Sequence, residues 1–417
     1  MSNYSHRGYE QRTSGYGRRR HKASGFRKKN TGSGAAKGAA AVVSVAAIAV
    51  LAYLFADNII PFLGSIRGTD TGSDTETLAE TQDSPDIALT VTAVPTADEP
   101  TEIPPADGYF DNADDNIFIS GGAGYVKFKG IDSTARNYTA ILNSISRNIP
   151  SGIDMYDIVL PTNAEIGIDG YIPGSNSQKD NLDVISLLLS DKVKYVDAYS
   201  ALKAHNSEYL YYRTDPALTS LGGYYAYTGF ADKSGNDAYL LSELSKKKYG
   251  ISPFEGEYIE RTTDNKAQPH GNQELFNNPD SIEYYKLPVH YNCYEINRSS
   301  GSRTEFDLFS DKNAASDPLS VFPGKDKDFL AVYNLQSDNT DKLLIVKDHA
   351  AEPVIGFIIP HYSEIYIADV SLYSGDLHSV ISEYGITDII FINGIDDANN
   401  SLYCQRLRDL FDNGISD

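Results

Sequence analysis

The sequence predicts an α/β domain with a largely parallel sheet, tethered behind one membrane-spanning helix. Three features predict it. After Gly108, short β-rich apolar runs alternate with segments of helical period, the pattern of strands joined by crossover helices. Ahead of that region, Gly38 to Ala56 runs for 19 residues without a charge, close to the ~20 that a helix needs to cross the hydrocarbon of a bilayer. Between the two, Thr69 to Asp107 holds nine Thr, five Pro and ten acidic residues, with no Lys, Arg or aromatic residue. Such a segment cannot bury enough apolar surface to fold and self-repels into an extended spacer.

Residues 1–37 are rich in Gly, Ser, Arg and Lys and read as a disordered tail. Ten Lys/Arg against the single acid Glu10 precede the apolar run, which places the N-terminus in the cytoplasm by the positive-inside rule. A tail of that length is too long for the n-region of a cleaved signal peptide, so the run reads as an uncleaved anchor. The expected organisation is a basic tail over 1–37, a transmembrane helix and juxtamembrane segment over 38–66, a spacer over 67–107 and an extracytoplasmic domain over 108–417. The net charge of −21 conceals an asymmetry, since beyond residue 38 there are 26 basic and 56 acidic residues. A body that acidic repels a phosphate backbone, so no nucleic-acid partner is expected, and the basic tail alone could touch nucleic acid or anionic lipid.

Five runs read as buried strands: Met155–Leu160, Val193–Tyr199, Lys342–Lys347, Glu364–Val370 and Thr387–Ile392. Helical period marks Thr134–Arg147, with Ser133 as its N-cap, and Gln178–Leu189, Ala238–Lys248, Leu377–Tyr384 and Leu402–Phe411. Residues 250–335 break the rhythm with Gly, Asn, Asp and Ser turns and read as an inserted, irregular β-rich region. Cys293 and Cys404 are too few for a disulfide framework and do not form a metal-ligand pattern. The glycines of Ser120–Gly124 lack the spacing and the Lys-Ser/Thr of a phosphate loop and read as a turn.

Two segments end strand-like runs in polar residues and look like active-site loops: Tyr211–Thr219 (YYRTDPALT) and Leu343–Ala351 (LLIVKDHAA). With IVLPTNAEI at Ile158–Ile166, LGGYYAY at Leu221–Tyr227, PDSIEYY at Pro279–Tyr285 and FIIPHYSEIYIADV, their order resembles the DHHW family. These are bacterial cell-envelope proteins of the SGNH-hydrolase class, related to alginate-acetylation proteins, and the resemblance covers roughly residues 116–411. It implies an SGNH-hydrolase-like three-layer sandwich with a mostly parallel central sheet and an inserted β-rich region. In active members it implies a Ser nucleophile in a Lys-Asp-Ser block and an Asp-x-His pair in an Asp-His-His-Trp block.

This chain departs from both blocks. Asp215 stands at the Asp position, but Pro216, Ala217 and Leu218 replace His-His-Trp. Lys347 and Asp348 fit the second block, and His349 stands where the serine would be. A serine hydroxyl needs an adjacent imidazole to take its proton, and the Asp serves to orient that imidazole. Loss of one triad member costs about 10⁴–10⁶ in rate, so Asp215, Ala217, Asp348 and His349 mark a degenerate site and the expected protein is a pseudoenzyme. A rescue reading pairs His349 with Asp215 as a base for another nucleophile such as Ser120 or Thr219. No second histidine stands near His349 in sequence, and neither a metal nor a cofactor is expected. Thirty Tyr without a Trp suit stacking on sugars, which makes Tyr211, Tyr212, Arg213 and Lys347 the binding candidates. Tyr209 and the cluster Tyr224, Tyr225 and Tyr227 flank the same loop; as the bland alternative, they pack between helix and sheet. The partners expected are the membrane, through Gly38–Ala56, and an envelope glycan or partner protein. The competing expectation is a divergent esterase or O-acetyltransferase acting on cell-envelope polysaccharide.

Overall fold

The computed structural model describes residues 103–248, 253–264, 266–309 and 317–412, so the expected tail, membrane span and most of the spacer lie outside it. No helix among the described residues is long and apolar enough to cross a membrane. The chain is already tied to the domain before Gly108. Tyr171 donates its N–H to Pro104 and accepts that of Ala106.

A three-stranded meander opens the domain: β1 Tyr109–Phe110, β2 Ile117–Ser120 and β3 Ala123–Val126. Ser120 pairs with Ala123, leaving Gly121 and Gly122 as a two-residue turn with φ of 56° and 76°. Both central residues of such a turn need positive φ, which glycine adopts without strain. The Gly122 N–H donates to Glu274, 2.7 Å away. The SGGAG stretch is therefore a hairpin turn.

Eight strands then build the central sheet in the order β5-β4-β13-β11-β12-β10-β8-β9. β4 Asp154–Leu160, β5 Val193–Val196, β11 Lys342–Lys347, β12 Glu364–Asp369 and β13 Asp388–Gly394 are parallel. These are the five strands expected from the sequence. Their near-continuous apolar runs are explained by cover on both faces. Along β11, Leu343 and Ile345 join the core on one side, and Leu344 and Val346 the core on the other.

Helices cover both faces. α1 Asp132–Asn148, α2 Gln178–Leu188, α5 Leu377–Tyr384 and α6 Ser401–Asp412 supply one layer. α3 Ser220–Ser234 and α4 Glu352–Ile358 supply the other. On α1 the buried Ala135, Tyr138, Ile141, Leu142 and Ile145 recur at helical spacing and form one stripe. Ser133 lies inside this helix and is not its cap: Ile131 holds the cap position, and Thr134 accepts the Ile131 N–H at 3.0 Å.

Three expectations are corrected. Val193–Tyr199 is a strand only to Val196, because Asp197 accepts the Ser200 N–H and starts the helix Ala198–Lys203. Ala238–Lys248 forms no α-helix; a 3₁₀ turn at Leu241–Glu243 leads into β6 Ser245–Lys248, which pairs with β7 Glu283–Lys286. The reason lies in α3. Tyr224 donates its hydroxyl to the Tyr239 carbonyl at 2.9 Å, and the Tyr227 oxygen accepts the Tyr239 N–H at 3.2 Å. The Tyr239 carbonyl, which a helix would pair with an N–H one turn on, is engaged by a side chain instead. Third, part of the supposed insertion belongs to the central sheet: β8 Tyr291–Ile296, β9 Arg303–Glu305 and β10 Phe329–Asn334 extend it antiparallel beyond β12. Cys293 on β8 and Cys404 on α6 are buried free thiols.

One buried acid is only half satisfied. Asp157 on β4 accepts the Tyr138 hydroxyl at 2.7 Å, and its other oxygen has no hydrogen-bond partner among the described residues. Burial pushes its carboxyl up to about 7, against the opposing pull of the Tyr138 bond. A raised carboxyl contributes its stability below its unfolded value and loses it as pH rises through the folded one. Asp157→Asn is therefore expected to melt above the parent at pH 8, and the gap should widen by roughly 2 kcal/mol between pH 5 and pH 8. Melting curves that stay parallel across that range would contradict this account.

Candidate functional site

The C-terminal ends of β4, β11 and β13 meet at one edge of the sheet, where ligands bind in open parallel sheets. A cleft of ≈ 120 Å³ opens there, walled by Leu160–Thr162, Tyr211, Pro216–Leu218, Asp348–Ala350 and Gly394–Asp397. The two motif blocks thus face one another across it.

The β11 wall is fixed from inside. Lys347 is fully buried, with its ammonium 2.8 Å from Asp369 at the end of β12 and 3.3 Å from Glu352 at the start of α4. Burial works against the Lys347 charge, but the two carboxylates outweigh it and hold its proton above the usual lysine range. Burial pushes Glu352 up to about 7 against the pull of Lys347. The next residue, Asp348, is also buried and accepts the N–H of Ala350 at 2.8 Å and of Gly394 at 2.6 Å. Burial pushes its carboxyl up to about 7, with His349 pulling it down and Asp397 adding to the rise. The His349 side chain is exposed in the cleft.

The opposite wall is a tight hairpin. Tyr211 bridges to Leu218, Tyr212 donates to the Ala217 carbonyl and Thr219 to that of Leu210. Asp280, from the Pro279–Tyr285 block, holds this hairpin: its carboxylate accepts the N–H of Arg213 and Thr214, the Thr214 hydroxyl and the Tyr209 hydroxyl. Asp215 accepts the N–H of Ala217 and of Glu257, both at 3.0 Å, so its carboxylate fastens the loop to the helix Glu257–Arg261. Burial raises its carboxyl above the ordinary range, opposed by those two N–H groups.

The third wall was not legible as part of a site. Asp396 and Asp397 lie in the short helix Ile395–Ala398 that follows β13, and Asp348, His349 and Asp397 each offer a ligand atom such that all lie within 4.8 Å of one another. The expectation of no metal rested on sequence spacing, and Asp397 reaches His349 from another strand. Burial, and then Asp397, raise the Asp396 carboxyl above its usual range.

The remaining singled-out residues divide between the cleft and the interior. Tyr211 lines the cleft, with its hydroxyl on the Pro161 carbonyl at 2.7 Å. Tyr212 lines a neighbouring cavity of ≈ 220 Å³ with Tyr209 and Tyr285, and its buried hydroxyl has no hydrogen-bond partner among the described residues. Arg213 donates to the carbonyls of Asn278 and Pro279, so its guanidinium is occupied within the domain. Tyr224 and Tyr227 pack on Phe357 of α4, and Tyr225 stacks on His205. Thr219 caps α3, its hydroxyl donating to Tyr209 and accepting from Gly222. Ser120 closes the β2–β3 turn. Thr162 lines the cleft, with its hydroxyl accepting from Gln178 at 2.7 Å.

Close packing holds the two walls together. An added Cβ on Gly223 would stand 2.2 Å from the Pro353 carbonyl oxygen, and one on Gly222 2.3 Å from that of Leu210. Gly223 lets α3, which continues one wall, lie against α4, which continues the other, and Gly222 lets α3 fold back onto its own hairpin at Leu210.

A mostly parallel sheet under helices on both faces, with its cleft at the strand C-termini, defines a mixed α/β protein of the open-sheet kind. The chain belongs to the DHHW family: the family model described as DHHW protein matches residues 99–368. A crystal structure of a DHHW family protein from Eubacterium siraeum is similar at 25% identity, covering 71% of this chain and 95% of that one, with a TM-score of 0.61. PatB1 from Bacillus cereus, solved with a sulfonyl adduct, is similar in fold at 14% identity over 69% of this chain and 96% of that one, TM-score 0.56. The O-acetyltransferase domain of AlgJ from Pseudomonas putida matches at 10% identity over 72% and 98%, TM-score 0.39. No curated protein matches in sequence.

Removing Lys347 leaves two buried carboxylates without a cation, a loss of about 3–5 kcal/mol. Lys347→Met keeps most of the volume, so its cost should be chiefly electrostatic. Without the ammonium the Glu352 carboxyl rises further, and urea denaturation should find the variant's deficit larger at pH 8 than at pH 5. A deficit independent of pH would mean that Lys347 acts by packing alone.

Proposed function

We propose that this chain is a single-pass membrane protein whose SGNH-hydrolase-like three-layer domain stands outside the membrane and binds an envelope polysaccharide or partner protein without acyl chemistry of its own. The observation that carries this reading is the composition of the cleft. Where a base would approach, it presents Pro216, Ala217 and Leu218, and no serine is among its lining residues. The side-chain bonds of histidines among the described residues run to Glu208 and to Tyr227, and none to a serine or threonine hydroxyl. An unactivated hydroxyl is a poor nucleophile at neutral pH.

Recognition falls in this reading to the Tyr211 side of the cleft and to the adjoining cavity of Tyr209, Tyr212 and Tyr285, whose rings combine apolar area with hydroxyl groups. Lys347 and Arg213, with their internal partners, act by positioning those walls. Anchoring rests on the charge-free run Gly38–Ala56 behind ten basic residues. The residues from 67 up to the tie at Pro104 then act as a spacer that lifts the domain from the surface.

Full-length protein in detergent is expected to hydrolyse p-nitrophenyl acetate no faster than buffer and to resist labelling by a fluorophosphonate probe. Turnover that His349→Ala abolishes would instead establish the divergent esterase or O-acetyltransferase. Retention on isolated cell-envelope polysaccharide is expected, and should fall in Tyr211→Ala. For the anchor, the chain should stay in the pellet after an alkaline carbonate wash of membranes, and deletion of residues 38–56 should release it. Release of the intact chain by the wash would sink the membrane assignment.

A further inference from the structure

We propose that Asp348, His349 and Asp397 form a binding site for a divalent transition metal of the zinc class at the floor of the cleft. The three residues come from the ends of two adjacent strands, and their ligand atoms already lie within 4.8 Å of one another. Ligands at about 2.1 Å around a tetrahedral ion stand about 3.4 Å apart. Closing that distance falls to side-chain rotation of the two less buried ligands, His349, which is exposed, and Asp397, which is half-buried and already meets Asp348.

The third ligand is fixed in advance. Each Asp348 oxygen takes one backbone N–H, from Ala350 and from Gly394, and a carboxylate oxygen has lone-pair capacity beyond one such bond. Outer hydrogen bonds of this kind orient a ligating group.

Charge points the same way. Asp348, Asp396 and Asp397 all line the cleft, and no Lys or Arg lines it. The nearest ammonium in sequence, Lys347, is held in the interior by Glu352 and Asp369. The cleft therefore presents several carboxylates and an imidazole with no fixed cation among them. A mixed imidazole and carboxylate set favours zinc and its neighbours over calcium or magnesium, which take oxygen ligands. Three protein ligands leave a coordination position for water or a ligand group. The imidazole in this set is the residue that stands at the serine position of the family pattern, so the site is a property of this chain and does not depend on whether it turns over an ester.

Full-length protein stripped with EDTA and titrated with zinc(II) in a calorimeter is expected to bind one equivalent. His349→Ala and Asp397→Asn should each weaken binding by at least about tenfold, while Asp396→Asn should change it by less than about threefold. Cobalt(II) provides a readout on the parent alone, since an imidazole–carboxylate site gives a d–d absorption band that zinc abolishes on displacement. The proposal is overturned if millimolar zinc finds no stoichiometric site, if cobalt gives no band, or if the folded double variant His349→Ala/Asp397→Asn binds as the parent does. That last result would move the metal elsewhere, for instance to His6 and His21 of the tail.

Discussion

One buried ammonium sets the geometry of this domain. Lys347 ends the central strand β11 with its charge inside the protein, and it is tolerable there only because Asp369 ends β12 and Glu352 begins α4 within reach. An isolated buried cation would cost several kcal/mol, so the three elements are obliged to end at one point. The residues after Lys347 then have little freedom. Asp348 is caught by two backbone amides, and His349 is delivered to solvent at the mouth of the cleft. The side chain that looks most available for binding an anion is the one that fixes the scaffold.

The opposite wall follows the same logic with the signs exchanged. Asp280 gathers two backbone amides and two hydroxyls of the Tyr209–Thr214 stretch, and Asp215 gathers two more amides. Asp215, which the resemblance presents as a catalytic relic, fastens a hairpin to a helix. The persistence of an acid there needs no chemistry to explain it. Gly222 and Gly223 complete the arrangement by letting α3 approach the backbone of Leu210 and Pro353.

How much of this was legible depends on whether the deciding interaction is local. The five parallel strands could be read because burial on both faces leaves an apolar run with few interruptions, visible within six or seven residues. α5 matched its expected bounds because Asp376 caps it and Gly385 closes it in the left-handed region, both local signals. Ala238–Lys248 misled because two tyrosine hydroxyls from α3 decide its conformation, and the periodicity within the segment itself carries no trace of them. Ser133 misled because the helix starts two residues earlier than its cap position implies: Thr134 reaches back to accept the Ile131 N–H, which leaves Ser133 inside the first turn. In the site, the motif blocks led to one cleft, which His349 and Pro216–Leu218 line, but Asp215 beside it is turned to the backbone of Ala217 and Glu257, partners that could not be read. Asp397 was missed since its nearness to His349 arises only when β13 is laid beside β11. The one clue was local: paired acids at the end of a buried strand, the position where open sheets place their ligands.

The two thiols carry a last implication. Cys293 lies on an added strand beyond β12 and Cys404 on the C-terminal helix, each sealed in the interior and unpaired. No covalent cross-link contributes to stability, and burial pushes the Cys404 thiol up to about 11, far from the thiolate that exchanges or oxidises. Maturation of this domain consequently asks nothing of oxidoreductases, and glutathione-rich and oxidising surroundings should yield the same folded product.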